Sequence, residues 1–452
     1  MAKLFGTDGI RGLVNDKNIN SEMAFKIGKV LAGYCQKISK NPKIIIARDT
    51  RESGPMLEMA LSAGIRANGG EVIFAGIIPT PGLAFLVREE KADAGVVISA
   101  SHNDYAYNGF KIFKNNGTKL NDSEEAELEN IILKETTEIN LAKDSSYQSE
   151  KLFYREENLI NKYVAFLLSS LPPELNFNGV KIVLDCSHGS TYEIAPRIFK
   201  QLGAEVDPIF IQPDGKNINA NCGSQHTETL QIAVKNNQAD VGLAFDGDGD
   251  RLIAVAENGG ALTGEHLLYI YSQLFLANGW LKNNLVVSTV MSNIGFLNAL
   301  RAMGATHRVA DVGDRAVFFE MGKSGAVLGG EESGHIVFSK FHTTGDGILS
   351  ALMLVWAMKH YNKPLSELSA QFALAPKLLL NVEVKEKLDL FSIPEISQVI
   401  KEVEDCLGSE GRVLVRYSGT EPLCRVMIEG KDENAISRLA DKIGRAIKNN
   451  LS

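Results

Sequence analysis

Cysteine and proline are sparse in this chain, no long apolar run occurs, and positive charge is not in excess. The five cysteines, Cys35, Cys186, Cys222, Cys406 and Cys424, are scattered, odd in number and without CxxC spacing. That pattern excludes a disulfide framework and a cysteine zinc site, and makes a reducing cytoplasm the simplest compartment. Proline numbers 13 against 41 glycines, which suits an enzyme of turns and tight loops better than a linker-rich scaffold. The most apolar stretch, 348–358, is 11 residues long, well short of the roughly 20 that a membrane span needs. The first residues lack the apolar core of a signal peptide, so no membrane partner is expected. Lys and Arg number 47 against 55 Asp and Glu, a formal net charge of −8. A nucleic-acid partner is not expected either, because gripping phosphate backbone needs a basic face. A local cluster of Arg and Lys for a small phosphorylated ligand stays open.

What is present is an α/β pattern: short apolar runs alternate with helix-like stretches, as in layers with mostly parallel strands. At about 150 residues per domain, 452 residues suggest roughly three domains. One local pattern recurs three times. The runs 43–47, 180–184 and 285–290 each read as a buried strand and lead into a polar turn and then a helix. The turns are Arg48-Asp49-Thr50-Arg51, Asp185-Cys186-Ser187-His188 and Met291-Ser292-Asn293. This repetition predicts three related mixed α/β units, and the polar stretches between them set their limits at 1–150, 151–253 and 254–368. The remainder, 369–452, groups strands at 378–384, 412–415 and 425–429 with an amphipathic helix at 435–447, which predicts a smaller α+β domain.

The motif Asp246-Gly247-Asp248-Gly249-Asp250-Arg251 follows the strand-like run 241–245. Three carboxylates at alternate positions, with glycines between them, can curl round one hard cation. An EF-hand is excluded because Arg251 stands at loop position 6 where glycine is needed, and the flanks read as strands. A compact loop of this kind favours Mg²⁺ with its remaining positions filled by substrate or phosphate oxygens. Ser99-Ala100-Ser101-His102-Asn103 ends a second strand, 94–98, and offers a serine as nucleophile or phosphate carrier. No Gly-x-Ser-x-Gly elbow surrounds it, so a hydrolase triad is not indicated. Arg416-Tyr417-Ser418-Gly419-Thr420-Glu421-Pro422, with Arg425 beyond, combines two guanidiniums with hydroxyls and a glycine, a set that suits a phosphate dianion or an ordinary surface turn. Gly329-Gly330-Glu331-Glu332-Ser333-Gly334-His335 mixes acceptors, a hydroxyl and an imidazole, as sugar hydroxyls require. Gly322-Lys323-Ser324 does not complete a P-loop, because position 317 is Val. No Gly-x-Gly-x-x-Gly opens a helix after a strand, so no dinucleotide site is expected.

Taken in order, these motifs and Phe5-Gly6-Thr7-Asp8-Gly9-Ile10-Arg11-Gly12 resemble the α-D-phosphohexomutase family over essentially the whole chain. The resemblance is strongest to its bacterial glucosamine-phosphate branch, through Val290-Met291-Ser292-Asn293 and Val312-Gly313-Asp314-Arg315. It implies three related α/β domains and a C-terminal domain with a TATA-binding-protein-like fold, arranged around a central cleft. It implies that Ser101 is a phosphoserine and that Mg²⁺ is held by Asp246, Asp248, Asp250 and an oxygen of modified Ser101. A phosphoryl group would pass between Ser101 and a phosphosugar through a sugar 1,6-bisphosphate, which also serves as activator. Ser101, His102, Lys111, Arg11 and Arg251 would be the catalytic set. Gly313, Asp314, Glu331, Ser333 and His335 would hold the sugar, with Asp314 favouring a protonated 2-amino group. Arg416, Ser418, Gly419, Thr420 and Arg425 would grip the phosphate that does not react. The expected activity interconverts glucosamine 6-phosphate and glucosamine 1-phosphate for UDP-N-acetylglucosamine synthesis, in a cytoplasmic enzyme compatible with a homodimer. A phosphoglucomutase or phosphomannomutase of the same fold is the alternative. A non-catalytic phosphosugar binder is disfavoured, since it would need neither Ser101 nor the three aspartates and Lys111. Asp104 stands where the family usually has Pro, which predicts a less rigid serine loop.

Overall fold

A computed structural model describes residues 4–6, 8–135, 149–418 and 422–451. The apolar runs become strands because they are buried on both faces, which is the environment of a parallel strand covered by helices. The first sheet contains β1 (Ile10–Leu13), β2 (Lys43–Arg48), β3 (Glu71–Ile77), β4 (Ala94–Ile98) and β5 (Tyr107–Lys114) in the order β1-β5-β4-β2-β3. Strands β4, β2 and β3 are parallel, whereas β5 and β1 are antiparallel additions. The second sheet repeats the plan with β6 (Lys181–Asp185), β7 (Glu205–Ile209), β8 (Val241–Phe245), β9 (Leu252–Ala256) and β10 (Ala261–Leu262), ordered β10-β9-β8-β6-β7. Again three strands are parallel and β9 and β10 are antiparallel. The third sheet, β11 (Leu285–Thr289), β12 (Thr306–Ala310), β13 (Leu328–Gly330) and β14 (Ile336–Phe338), has the order β12-β11-β13-β14 with only β14 antiparallel.

The three related α/β units read from the sequence are therefore present, and the runs 43–47, 180–184 and 285–290 form β2, β6 and β11. The second sheet, however, continues through β9 and β10 to Leu262, past the expected limit at 253, because the antiparallel return strands belong to the same sheet. The units' shared plan places the chemistry. In each unit the third parallel strand returns through a hairpin to the antiparallel one. The serine segment lies between β4 and β5, the aspartate motif between β8 and β9, and the Glu331–His335 segment between β13 and β14. Three unrelated motifs thus occupy one topological position, at the carboxyl ends of parallel strands where α/β sheets place their ligands.

The fourth sheet is antiparallel throughout, with β15 (Lys377–Glu383), β16 (Arg412–Tyr417) and β17 (Leu423–Glu429) in the order β15-β17-β16. Helices Pro394–Leu407 and Glu433–Leu451 cover it through Ile396, Ile400, Val403, Ile436, Ile443 and Ile447. The chain divides into two compact units, Met1–Val290 with Thr306–Ser369, and Met291–Ala305 with Ala370–Ser452. Helix Ile294–Ala302 therefore belongs to the unit that contains the fourth sheet: the Ile294 N–H donates to Glu429 Oε2 at 2.9 Å, and Asn293 Nδ2 donates to the Ala375 carbonyl at 2.9 Å.

Candidate active site

Ser101 is fully buried and has a left-handed backbone, φ +51°, which a side chain rarely adopts without support. Its N–H donates to Ser99 Oγ at 2.9 Å, and Ser99 Oγ donates to Asp49 Oδ2 at 2.6 Å. Ser101 Oγ donates to Asp246 Oδ2 at 2.6 Å, which joins the serine hairpin to the aspartate hairpin across 145 residues. The loop is not loose in spite of Asp104. Arg51, buried beneath it, donates to the carbonyls of Ser101, Asn103, Asp104 and Tyr107, and to Asp49.

The carboxylates of Asp246, Asp248 and Asp250 are buried, with one oxygen of each lying within 4.8 Å of the others. Gly247 sits between them because a Cβ there would come to 2.7 Å from the Ser101 carbonyl oxygen; Gly249 sits there because its φ is +70°. Lys111 Nζ lies 2.7 Å from Asp248 Oδ2, 3.0 Å from Asp250 Oδ2 and 3.0 Å from Asp8 Oδ2. Thr80 Oγ1 also donates to Asp248 Oδ2. The opposite oxygens, Asp248 Oδ1 and Asp250 Oδ1, are buried and have no hydrogen-bond partner. Oxygens without a hydrogen bond on two neighbouring carboxylates, beside the Asp246 carboxylate that receives Ser101, form the hard-oxygen donor set a divalent cation requires, although Asp250 Oδ1 also faces Arg251 and His335. The residues present fit a metal.

The electrostatics follow from this crowding. Burial, reinforced by Asp250 and Asp248, pushes the Asp246 carboxyl well above the usual carboxylate range. Burial acts in the same direction on Asp250, but Lys111 and then His335 outweigh it and hold that carboxyl well below the usual range. For Lys111, burial favours loss of the proton, yet Asp248, Asp250 and Asp8 hold its pKa well above that of an ordinary lysine. His102 is lowered to about 4 by burial, then by Arg251 and Arg11, and its Nδ1 has no partner. Arg11 donates to Asp8 Oδ2 at 2.8 Å and to Asn103 Oδ1 at 3.4 Å. The Arg251 N–H donates to Asp246 Oδ1 at 3.1 Å, and its Nε lies 3.8 Å from Asp250 Oδ1.

In the third hairpin, Glu331 Oε1 accepts the Gly313 N–H at 3.0 Å, while Ser333 lies half-buried in the same turn. The His335 ring is buried; its Nε2 accepts the Gly345 N–H at 3.2 Å and its Nδ1 lies 3.6 Å from Asp250 Oδ1. Asp314 opens helix Asp314–Ser324, and its carboxylate is paired with Lys119, which also pairs with Asp8. A cavity of about 1030 Å³ opens here, lined among others by Lys119, Asp314, His335, Phe318 and Lys323. That volume accommodates a small ligand such as a phosphorylated sugar.

Four family descriptions match in sequence: phosphoglucomutase/phosphomannomutase α/β/α domain I over residues 2–139, domain II over 161–260, domain III over 263–374, and the C-terminal domain over 379–446. A phosphoglucosamine mutase of Syntrophus aciditrophicus is 47% identical over 451 residues, covering 100% of both chains. The chain belongs to the phosphoglucomutase/phosphomannomutase family of α-D-phosphohexomutases. In fold it is similar to a phosphoglucomutase/phosphomannomutase family protein of Burkholderia thailandensis, with a TM-score of 0.79, 22% identity, and coverage of 100% of this chain and 98% of the other. It is also similar to the Aspergillus fumigatus N-acetylphosphoglucosamine mutase solved with GlcNAc-6P and magnesium, with a TM-score of 0.65, 15% identity, and coverage of 99% and 96%.

Of the residues expected to serve this phosphohexomutase, the structure brings together Ser101, Asp246, Asp248, Asp250, Lys111, Arg11, His102 and Arg251, with Glu331, Ser333 and His335 in the third hairpin and Gly313 and Asp314 at the start of the helix after β12. Arg416, Ser418 and Arg425 lie in the other compact unit, and Gly419 and Thr420 fall outside the described residues. There Arg416 and Arg425 are directly opposed across β16 and β17. Two like charges in register are unfavourable unless an anion offsets them. Ser418 is buried, and its carbonyl accepts from Lys387 Nζ at 2.7 Å. Asp8, Lys119, Arg51 and Asn219 were not singled out by their spacing. Asp8 lies inside the Phe5–Gly12 motif and Arg51 inside the first polar turn, but neither position shows locally which group it meets. Among the described residues no helix is long and apolar enough to cross a membrane.

Proposed function

We propose that this phosphohexomutase is a phosphoglucosamine mutase, interconverting glucosamine 6-phosphate and glucosamine 1-phosphate through a phosphorylated Ser101. The observation that carries the reading is the 2.6 Å contact of Ser101 Oγ with Asp246, in a pocket of three buried aspartates that leaves two carboxylate oxygens without a hydrogen bond. Similarity to phosphoglucosamine mutases over the full length supports the amino sugar as substrate. Asp246, Asp248 and Asp250, with an oxygen on Ser101, would hold Mg²⁺, which supplies neutralisation of charge on the transferring phosphoryl group.

The chain's own residues account for the remaining requirements. The phosphoryl group leaves Ser101 Oγ as the sugar's C1 hydroxyl bonds to phosphorus and gives up its proton; a 1,6-bisphosphate results. His102, whose Nδ1 has no hydrogen-bond partner, would take that proton. After the sugar turns over, its 6-phosphate returns to Ser101 Oγ, and the proton goes back to the C6 oxygen. Lys111, bound by three carboxylates, keeps its proton and acts as a fixed positive charge. Arg11, oriented by Asp8, adds a second. Glu331, Ser333 and His335 offer acceptors and donors to the sugar hydroxyls in either orientation. By the family resemblance, Arg416, Ser418, Gly419, Thr420 and Arg425 would supply donors for the phosphate at rest. This role feeds UDP-N-acetylglucosamine synthesis in the cytoplasm.

A coupled mutase assay on glucosamine, glucose and mannose phosphates tests the reading, run with and without Mg²⁺ and alongside intact mass. The expected result is strong preference for the amino sugar, dependence on Mg²⁺, a species heavier by one phosphoryl group, and loss of both activity and that species in Ser101→Ala. Full activity in Ser101→Ala would overturn the phosphoserine mechanism. Equal rates on all three sugars would favour the broader phosphoglucomutase/phosphomannomutase activity, which the neutralising Lys119–Asp314 pair makes the second reading.

A further inference from the structure

Asn219 lies on the second α/β unit, 118 residues from Ser101, in a left-handed conformation with φ +59°. Its single amide group donates to two carbonyls, those of Ser101 and Asn103, each at 2.9 Å. Arg51 Nη2 donates to the same two carbonyls, at 3.0 and 2.8 Å. Two side chains from different units therefore bind the same pair of oxygens. All five N–H donors of a guanidinium are available for such a grip; Arg51 directs Nη1 to the carbonyls of Asp104 and Tyr107, and Nε to Asp49.

Both peptide planes flanking Ser101 are thereby fixed. The plane on its N–H side is fixed by Ser99 Oγ, itself held by Asp49. The plane on its carbonyl side is fixed by Arg51 and Asn219. With both planes set, the backbone dihedrals at Ser101 are set, including the strained positive φ that an unsupported serine would abandon. Gly247 completes the arrangement, since a Cβ there would meet the Ser101 carbonyl at 2.7 Å and Asn219 Nδ2 at 2.8 Å.

We propose that Arg51 and Asn219 are positioning residues that clamp the serine loop from two sides and so aim Ser101 Oγ at the aspartate pocket. The proposal rests on Ser101 being the phosphoryl carrier. Phosphoryl transfer depends on alignment, and misplacement by about 1 Å can cost on the order of 100-fold in rate. Neither residue is required to touch the sugar, so loss of the clamp should reduce kcat while leaving KM largely alone.

The test uses the full chain with Asn219→Asp, which keeps the shape but cannot donate, with Asn219→Ala, and with Arg51→Lys. Three quantities are measured: kcat and KM in the mutase assay, the melting midpoint, and amide hydrogen exchange across residues 100–104. The expected result for the Asn219 variants is a kcat reduced about 10- to 100-fold, KM within about twofold, a melting midpoint close to that of the unsubstituted chain, and faster exchange confined to the serine loop. Arg51→Lys should show the same loop effect with some loss of stability, and if it fails to fold the Asn219 variants decide. Unchanged loop exchange in both Asn219 variants overturns the clamp, and faster exchange with undiminished kcat overturns the positioning role. If the unsubstituted chain has no mutase activity, the proposed function fails, while exchange still tests the clamp independently.

Discussion

Lys119 stands between Asp8 and Asp314, whose side chains are 195 residues from it in one direction and 111 in the other. It neutralises the carboxylate that the sequence nominates as the partner of a substrate ammonium. Charged groups sharing one buried network do not act additively. Combining Lys119→Met with Asp314→Asn should therefore be less destabilising than the sum of the single changes, with a coupling of ~0.5–3 kcal/mol in denaturation midpoints. Additive effects would show that the two side chains do not interact in solution. A second residue-scale test concerns Asp346, fully buried, which accepts from Tyr163 Oη and from the Leu349 N–H, each at 2.9 Å. Burial raises its carboxyl from an ordinary 3.8 to about 7. Because the folded chain binds this proton more tightly than the unfolded one, its contribution is fully present below about pH 4 and lost as pH rises through about 7. Asp346→Asn keeps the bond from the Leu349 N–H through its Oδ1, and its Nδ2 can donate to Tyr163 Oη with the direction of that bond reversed. Its unfolding free energy in urea, relative to the unsubstituted chain, should rise between pH 5 and pH 8 by an amount on the order of a few kcal/mol at most. A pH-independent difference would place the carboxyl near its ordinary range.

Among elements, the β16–β17 pair carries the clearest conflict between stability and function. Arg416 opposes Arg425 in register on adjacent strands. Like charges placed directly opposite destabilise a sheet by a few tenths to about 1 kcal/mol. Arg416→Ala should leave the melting temperature unchanged or slightly raised, while reducing the stabilisation that inorganic phosphate confers and raising KM for the sugar phosphate. A variant that loses stability and keeps its response to phosphate would assign Arg416 to the sheet rather than to an anion. The hairpins show how far local sequence reaches at this scale. Strands 94–98 and 241–245 are visible as apolar runs, and the residues that follow them are polar and glycine-rich, so each loop can be placed at a strand end from sequence alone. That β4, β8 and β13 all return through equivalent hairpins cannot be read in this way, because the antiparallel partner is chosen by register with a strand elsewhere in the sheet. The return strands therefore carry no distinct local signature.

For the whole molecule, two compact units share one interrupted chain, since helix Ile294–Ala302 groups with residues 370–452 while β11 and β12 on either side of it belong to the other unit. Phe296 and Leu300 of this helix are fully buried, and Phe296 meets Phe372 with ring centroids 6.2 Å apart. A chain ending at residue 369 should expose these side chains and aggregate or bind a hydrophobic dye, while the full chain remains soluble at the same concentration. A soluble, dye-silent truncation would show that the helix finds other cover. The sequence by itself determined the α/β class, the smaller α+β end and the metal loop. Each of these depends on periodicity or spacing within about ten neighbouring residues, where backbone geometry alone brings side chains together. It also nominated Ser101 and the two arginines, through motifs whose members are near neighbours in the chain. Only the tertiary structure decided that Ser101 meets Asp246, that Lys111 bridges Asp8, Asp248 and Asp250, and that Arg51 and Asn219 bind the same two carbonyls. Those partners lie between 50 and 145 residues apart in the chain. They converge because loops at strand ends of the first and second sheets meet, and an isolated Lys, Arg or Asn carries no local mark of the group it will meet.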